Sequence, residues 1–140
     1  MLDEERILAK VDELKSYLDE LRKIIPEDLK SYKSSIEKRR ACERLLHISI
    51  ECVMDICSII VSNLRLGLPS EEGVIIEKLR GANVISERMK NKLRRMRGFR
   101  NILVHRYGRV KDESVYKVLT ENLGDFDKFI NEIIAFLKGK

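Results

Sequence analysis

The chain has no tryptophan and no glutamine, a single threonine, two prolines and only 6% aromatic residues, against 36% charged residues. That imbalance argues against a β-rich core and favours long amphipathic helices. Cysteine is scarce as well. Cys42, Cys52 and Cys57 are odd in number and form no C-x-x-C pair, which speaks against a disulfide framework and a zinc site. They are expected to be small buried hydrophobes in a reducing compartment. No uninterrupted apolar run approaches ~18 residues, and the opening stretch MLDEERILAK is charged and periodic. The expectation is a cytoplasmic protein, neither secreted nor membrane-spanning. Internal repeats, low-complexity tracts and linkers are missing too, so a chain of 140 residues reads as one domain spanning 1–140.

What the chain does have is helical periodicity. Ile7, Val11, Leu14, Leu18, Leu21 and Ile25 recur at steps of four and three, which predicts a helix ending at Pro26. A second helix is expected to start soon after Pro26, basic through Lys38, Arg39 and Arg40, and apolar on nearly every face from Leu45 to Val61. Such a helix belongs at the centre. Glu43, His47, Glu51 and Asp55 are spaced four apart along it and predict a polar ridge facing solvent, a cleft or an interface. Gly67 and Pro69 should end it, and Ser70 should cap a short helix running to about Arg80.

The fourth expected helix starts near Ser86, buries Met89, Leu93, Met96 and Leu103, and stops near Gly108. The last opens at Asp112 and Glu113. It carries Val115, Leu119, Leu123, Phe126, Ile130, Ile133 and Leu137 on one stripe, with Gly124 as a weak point. The expected fold is an all-α, up-and-down bundle of about five helices with antiparallel neighbours.

The net charge of +5 hides an asymmetry: residues 88–111 hold ten cations and no acid, so the rest of the chain is net negative by five. A block of one sign repels itself unless an anion binds it, and phosphodiesters are the usual partner. A solvated Lys/Arg face is the plainer explanation. Against it, the block carries no i,i+4 acids and leads into His105, the one histidine outside the central helix.

The segment Arg100 to Tyr107 gathers the chemistry. Histidine exchanges protons near neutral pH, arginine offers a fixed fork of donors to a phosphate, and asparagine can orient either. These parts suffice for RNA cleavage by internal attack of the ribose 2′-hydroxyl, chemistry that calls for neither a metal nor a cofactor. Five residues separate Arg100 from His105 by roughly 140° around an ideal helix. Either the helix distorts near Val104, or the arginine bends across, or two copies of the segment face each other; the last is favoured.

The pattern R-N-x-x-x-H-x-Y, here Arg100, Asn101, His105 and Tyr107, resembles the signature of the HEPN superfamily and of its HepT-like toxin branch. The long first helix, the segments RRACERLLHISIECVMDI and RGFRNILVHRYGRV, and the final amphipathic helix follow the same order. The resemblance implies a helical homodimer acting as a metal-independent endoribonuclease, with both motifs lining one cleft. It implies His105 as general acid/base, Arg100 as the phosphate ligand and Asn101 as the residue positioning them. It also implies an MNT-type nucleotidyltransferase antitoxin as partner, in a hetero-oligomer, which silences the toxin by attaching AMP to Tyr107. Such bulk and negative charge would block a cleft built for RNA.

Around this centre, Arg97, Arg106 and Arg109 are candidates to guide RNA, and Glu51 and Asp55 either support the motif by pairing with Arg100 or Arg97 or belong to an interface salt-bridge network. His47 reads as a packed core or interface histidine. Phe99, Ile102 and Leu103 read as core or dimer-interface residues. The main competing function is a non-catalytic helical subunit that docks a nucleotidyltransferase, and a weaker one is a DNA-binding regulator using the basic helix. Nothing in the sequence resembles a helix-turn-helix.

Overall fold

The structure, a computed structural model, describes residues 2–67, 71–105 and 110–139. Among these the chain forms seven α-helices and one π-helical turn, with no strand: α1 Glu4–Ile24, α2 Leu29–Ser34, α3 Ile36–Asn63, α4 Glu72–Gly81, α5 Glu87–His105, α6 Asp112–Lys117, the π turn Val118–Asn122, and α7 Gly124–Lys138. The all-α architecture agrees with the expectation. The helix count is higher than five because two predicted helices are each divided.

The first division lies at Ser35. Its hydroxyl accepts from the Lys38 backbone N–H at 3.1 Å, which starts α3 afresh and leaves Leu29–Ser34 as a separate turn and a half. Tyr32 of that short helix is buried, its ring centroid 5.5 Å from that of Tyr116. The second division is the π turn within the last predicted helix. Steps of four residues advance about 40° beyond a full turn in an α-helix, so Val115, Leu119 and Leu123 would drift off the core face. The wider turn takes up that drift, and the whole predicted stripe is buried.

Two helix ends fall where a left-handed residue stops the coil. α3 closes at Asn63, earlier than Gly67: Arg65 takes φ 55°, and the Leu66 N–H reaches the Val61 carbonyl at 3.1 Å. Asn83, with φ 59°, does the same for α4 through the Val84 N–H to Leu79 carbonyl bond at 3.0 Å. At the start of α4 the cap position belongs to Glu71, whose side chain makes no capping bond, and Ser70 lies outside the described residues.

α3 is the axis. α1 packs along it, α4 and α5 lie against it, and Cys42, Leu46, Ile50, Val53, Ile56, Cys57 and Ile60 are at most 1% exposed. By length and composition α3 could cross a membrane, but here most of its apolar surface is buried against its neighbours. The three cysteines are free and buried. Leu103 departs from expectation: it is half-buried, because the last turns of α5 run beyond the core.

Candidate functional site

α5 remains a regular helix through His105, so no distortion at Val104 brings the histidine over the arginine. Within one chain they separate as helical geometry requires. Arg100 turns inward, its residue surface 9% exposed, while His105 is exposed on the final turn.

Arg100 is held on three sides. Its Nε donates to Asn101 Oδ1 at 3.1 Å, Nη1 donates to Glu51 Oε1 on α3, and Nη2 donates to Glu72 Oε1 on α4. Burial opposes the guanidinium charge, but the hydrogen bonds and fields of Glu51 and Glu72 outweigh it and raise the pKa above its ordinary value. A guanidinium carries five N–H donors, so two remain for a ligand while three fix its plane. Arg97, one turn earlier, places Nε 3.4 Å from the same Glu72 oxygen, and that buried nitrogen has no hydrogen-bond partner. Glu51, Glu72, Arg97 and Arg100 thus form a cluster whose charges cancel.

The polar ridge of α3 splits between two neighbours. Glu51 meets Arg100, and His47 Nε2 lies 3.6 Å from Glu51 Oε1. Asp55 does not join the motif: it pairs with Lys10 of α1 at 3.4 Å. The single four-residue step from Glu51 to Asp55 rotates the ridge by about 40° and advances it about 6 Å along the axis, away from Arg100 and toward α1. Asp55 is therefore corrected to a tie between α1 and α3.

The basic block is also less bare than the sequence suggests. Lys92 pairs with Asp125 at 2.7 Å, Lys90 with Glu87 at 2.8 Å, and Arg94 with Glu77. Apart from Glu87, the acids for this block, Glu51, Glu72 and Glu77 included, come from other helices, which no i,i+4 search along α5 could find. Arg88 and Arg95 have no ion-pair partner among the described residues. Arg106, Tyr107 and Arg109 lie outside them.

Two features escaped the sequence reading. Glu72 stands in the first turn of α4, where an acid is common for local reasons, and its pairing with Arg100 comes from the packing of α4 against α5. The other is a cleft of about 340 Å³ between the first half of α3 and the end of α5. Arg44 and His47 form one wall, and Leu103, Val104 and Val110 the other. Arg44 Nη1 donates to His47 Nδ1 at 3.3 Å, which assigns the ring proton to Nε2 on the Glu51 side. Ile102, 39% exposed, and half-buried Phe99 belong to the same stretch of α5.

A family model described as ribonuclease HepT-like matches residues 14–133. A putative RNase of Archaeoglobus fulgidus is 34% identical over 129 residues, covering 92% of this chain and 91% of that one. The tRNA nuclease HepT of Aphanizomenon flos-aquae is 26% identical over 121 residues, covering 86% and 82%. Among solved structures, a tri-AMPylated HEPN toxin of Shewanella oneidensis in complex with MNT antitoxin superimposes with a TM-score of 0.86. It is 27% identical, with 96% of this chain and 99% of that chain covered.

Proposed function

The chain belongs to the HepT-like ribonuclease family, and from that premise we propose that it is an RNA endonuclease, the toxin of a pair whose antitoxin is an MNT-type nucleotidyltransferase. The observation that carries the reading is an arginine fixed by three acceptors, with two donors to spare, about 7.5 Å along the helix axis from an exposed histidine. Locked donors aimed at a phosphate need no reorganisation as charge builds on its oxygens.

Cleavage needs two proton transfers. A base takes the proton of the ribose 2′-hydroxyl as O2′ bonds to phosphorus; the P–O5′ bond breaks, and an acid protonates the departing O5′. The products are a 2′,3′-cyclic phosphate and a 5′-hydroxyl. One chain offers a single histidine on this helix end, so two copies facing each other supply the pair, His105 of one as base and of the other as acid. Arg100 donates to the non-bridging oxygens, with Asn101 holding its Nε. Arg97 assists at the phosphate, Arg106 and Arg109 guide the strand, and AMP on Tyr107 closes the site. No step calls for a metal.

Purified protein should cut single-stranded RNA in EDTA, leaving cyclic-phosphate ends. His105→Ala should lower the rate by about 10²–10⁴ without unfolding the exposed helix end. Activity lost on chelation and restored by a divalent ion would refute the metal-free mechanism.

A further inference from the structure

Charge around Arg100 cancels: two carboxylates offset Arg97 and Arg100, leaving directional donors but no net cation to hold a polyanion. RNA binding is dominated by charge contacts to its phosphates, so cations outside this cluster must hold the strand, and Arg106 and Arg109 account for only one side of Arg100 in sequence. In the cleft between α3 and α5, Arg40 is neutralised by Glu43, with both carboxylate oxygens 3.2 Å from its Nη1. Arg44 is different. It is exposed, and among the described residues its hydrogen-bond partner is the neutral acceptor nitrogen of His47, with no carboxylate in ion-pair range.

The opposite wall is apolar, made by Leu103, Val104 and Val110, and two of these lie on the helical turn that ends in His105. A volume of about 340 Å³ is that of a small-ligand site. One charged wall and one apolar wall match the two halves of a nucleotide. We infer that this cleft seats one nucleotide unit of the RNA beside the scissile bond, with Arg44 as its phosphate ligand and the apolar wall against its base or ribose. The inference rests on the ribonuclease reading and gives it a substrate-binding subsite. His47 is a positioning residue here: Nδ1 holds the Arg44 guanidinium, and Nε2 faces Glu51, so the subsite is tied mechanically to Arg100.

The test is binding of a short 2′-O-methyl RNA, which cannot be cleaved, followed by fluorescence anisotropy over a salt series. Arg44→Glu should weaken binding about tenfold and reduce the slope of log affinity against log salt by about 0.7. Arg44→Lys should recover most of the loss, and Lys15→Glu, exposed on α1, should change affinity less than about twofold. Equal losses from Arg44→Glu and Lys15→Glu would overturn the subsite. Uridine 3′-monophosphate should shift the methyl resonances of Leu103, Val104 and Val110 where inorganic phosphate leaves them in place; if both ligands behave alike, the apolar wall holds no nucleotide. Tight binding of the modified strand with no cleavage of ordinary RNA refutes the ribonuclease reading and leaves the subsite standing. Cleavage with wild-type affinity in Arg44→Glu refutes the subsite alone.

Discussion

Arg100 on α5 donates from Nη2 to Oε1 of Glu72 in the first turn of α4, the same oxygen that lies 3.4 Å from Nε of Arg97. One carboxylate thus ties two arginines of α5 to a second helix, while Glu51 ties Arg100 to a third. Removing the guanidinium would leave both carboxylates without their main partner in a half-buried setting. Arg100→Ala should therefore cost about 2 kcal/mol, less than a fully buried pair because both acids keep some contact with water. Arg100→Lys keeps the charge but loses the fork, and should recover only part of that stability. Urea unfolding decides; an Arg100→Ala protein within about 0.5 kcal/mol of wild type would mean the three-way clamp contributes nothing.

Glu72 offsets the positive charge of Arg97 and Arg100 that a phosphate would meet at this cluster. Glu72→Gln keeps the shape of the side chain, removes one negative charge and leaves the cluster with net positive charge. Affinity for a non-cleavable RNA should rise several-fold at low salt, while thermal stability falls by a few degrees. A variant that loses stability and gains no affinity would show Glu72 to be purely a brace.

The contrast between Glu51 and Glu72 shows what the sequence can disclose. Glu51 belongs to a ridge of fixed spacing, so helical geometry singled it out, together with Asp55, as a candidate partner for the motif. Glu72 sits in a first turn where acids are common for local reasons, and nothing in its neighbourhood points to a partner 28 residues away. Asp55 marks the limit of the spacing argument, since the one step of about 40° that separates it from Glu51 already takes it from α5 to α1. The stripe of the last helix was legible to the residue, but the π turn was not: a step of four residues fits both helix types, and only packing against the core chooses between them. The exposed position of His105 and the inward turn of Arg100 likewise depend on where α5 leaves the core, which periodicity leaves open.

The proposed control by an antitoxin leads to a mass-spectrometric prediction. Protein co-expressed with an MNT-type nucleotidyltransferase should carry added AMP, and Tyr107→Phe should lose it together with the silencing of RNA cleavage. Unmodified Tyr107 in a fully silenced complex would replace covalent control with simple occlusion.

The buried thiols give a test independent of RNA. Burial pushes Cys42 and Cys52 from the ordinary 9.0 to about 11, and Cys57 higher still. A thiol attacks as thiolate, so all three should resist iodoacetamide at pH 8 in the native protein and react readily in urea. The same shifts set an alkaline limit. An acid whose folded pKa is raised favours the unfolded chain once that chain can ionise, so stability is intact below pH 9.0 and drains away as pH climbs toward about 11. The melting temperature should decline across that interval, and Cys42→Ala with Cys52→Ala should flatten the decline even though each substitution lowers stability at neutral pH. A decline of unchanged steepness in the double variant would assign the alkaline loss to other groups, with Tyr32, whose pKa burial also raises, the first to examine.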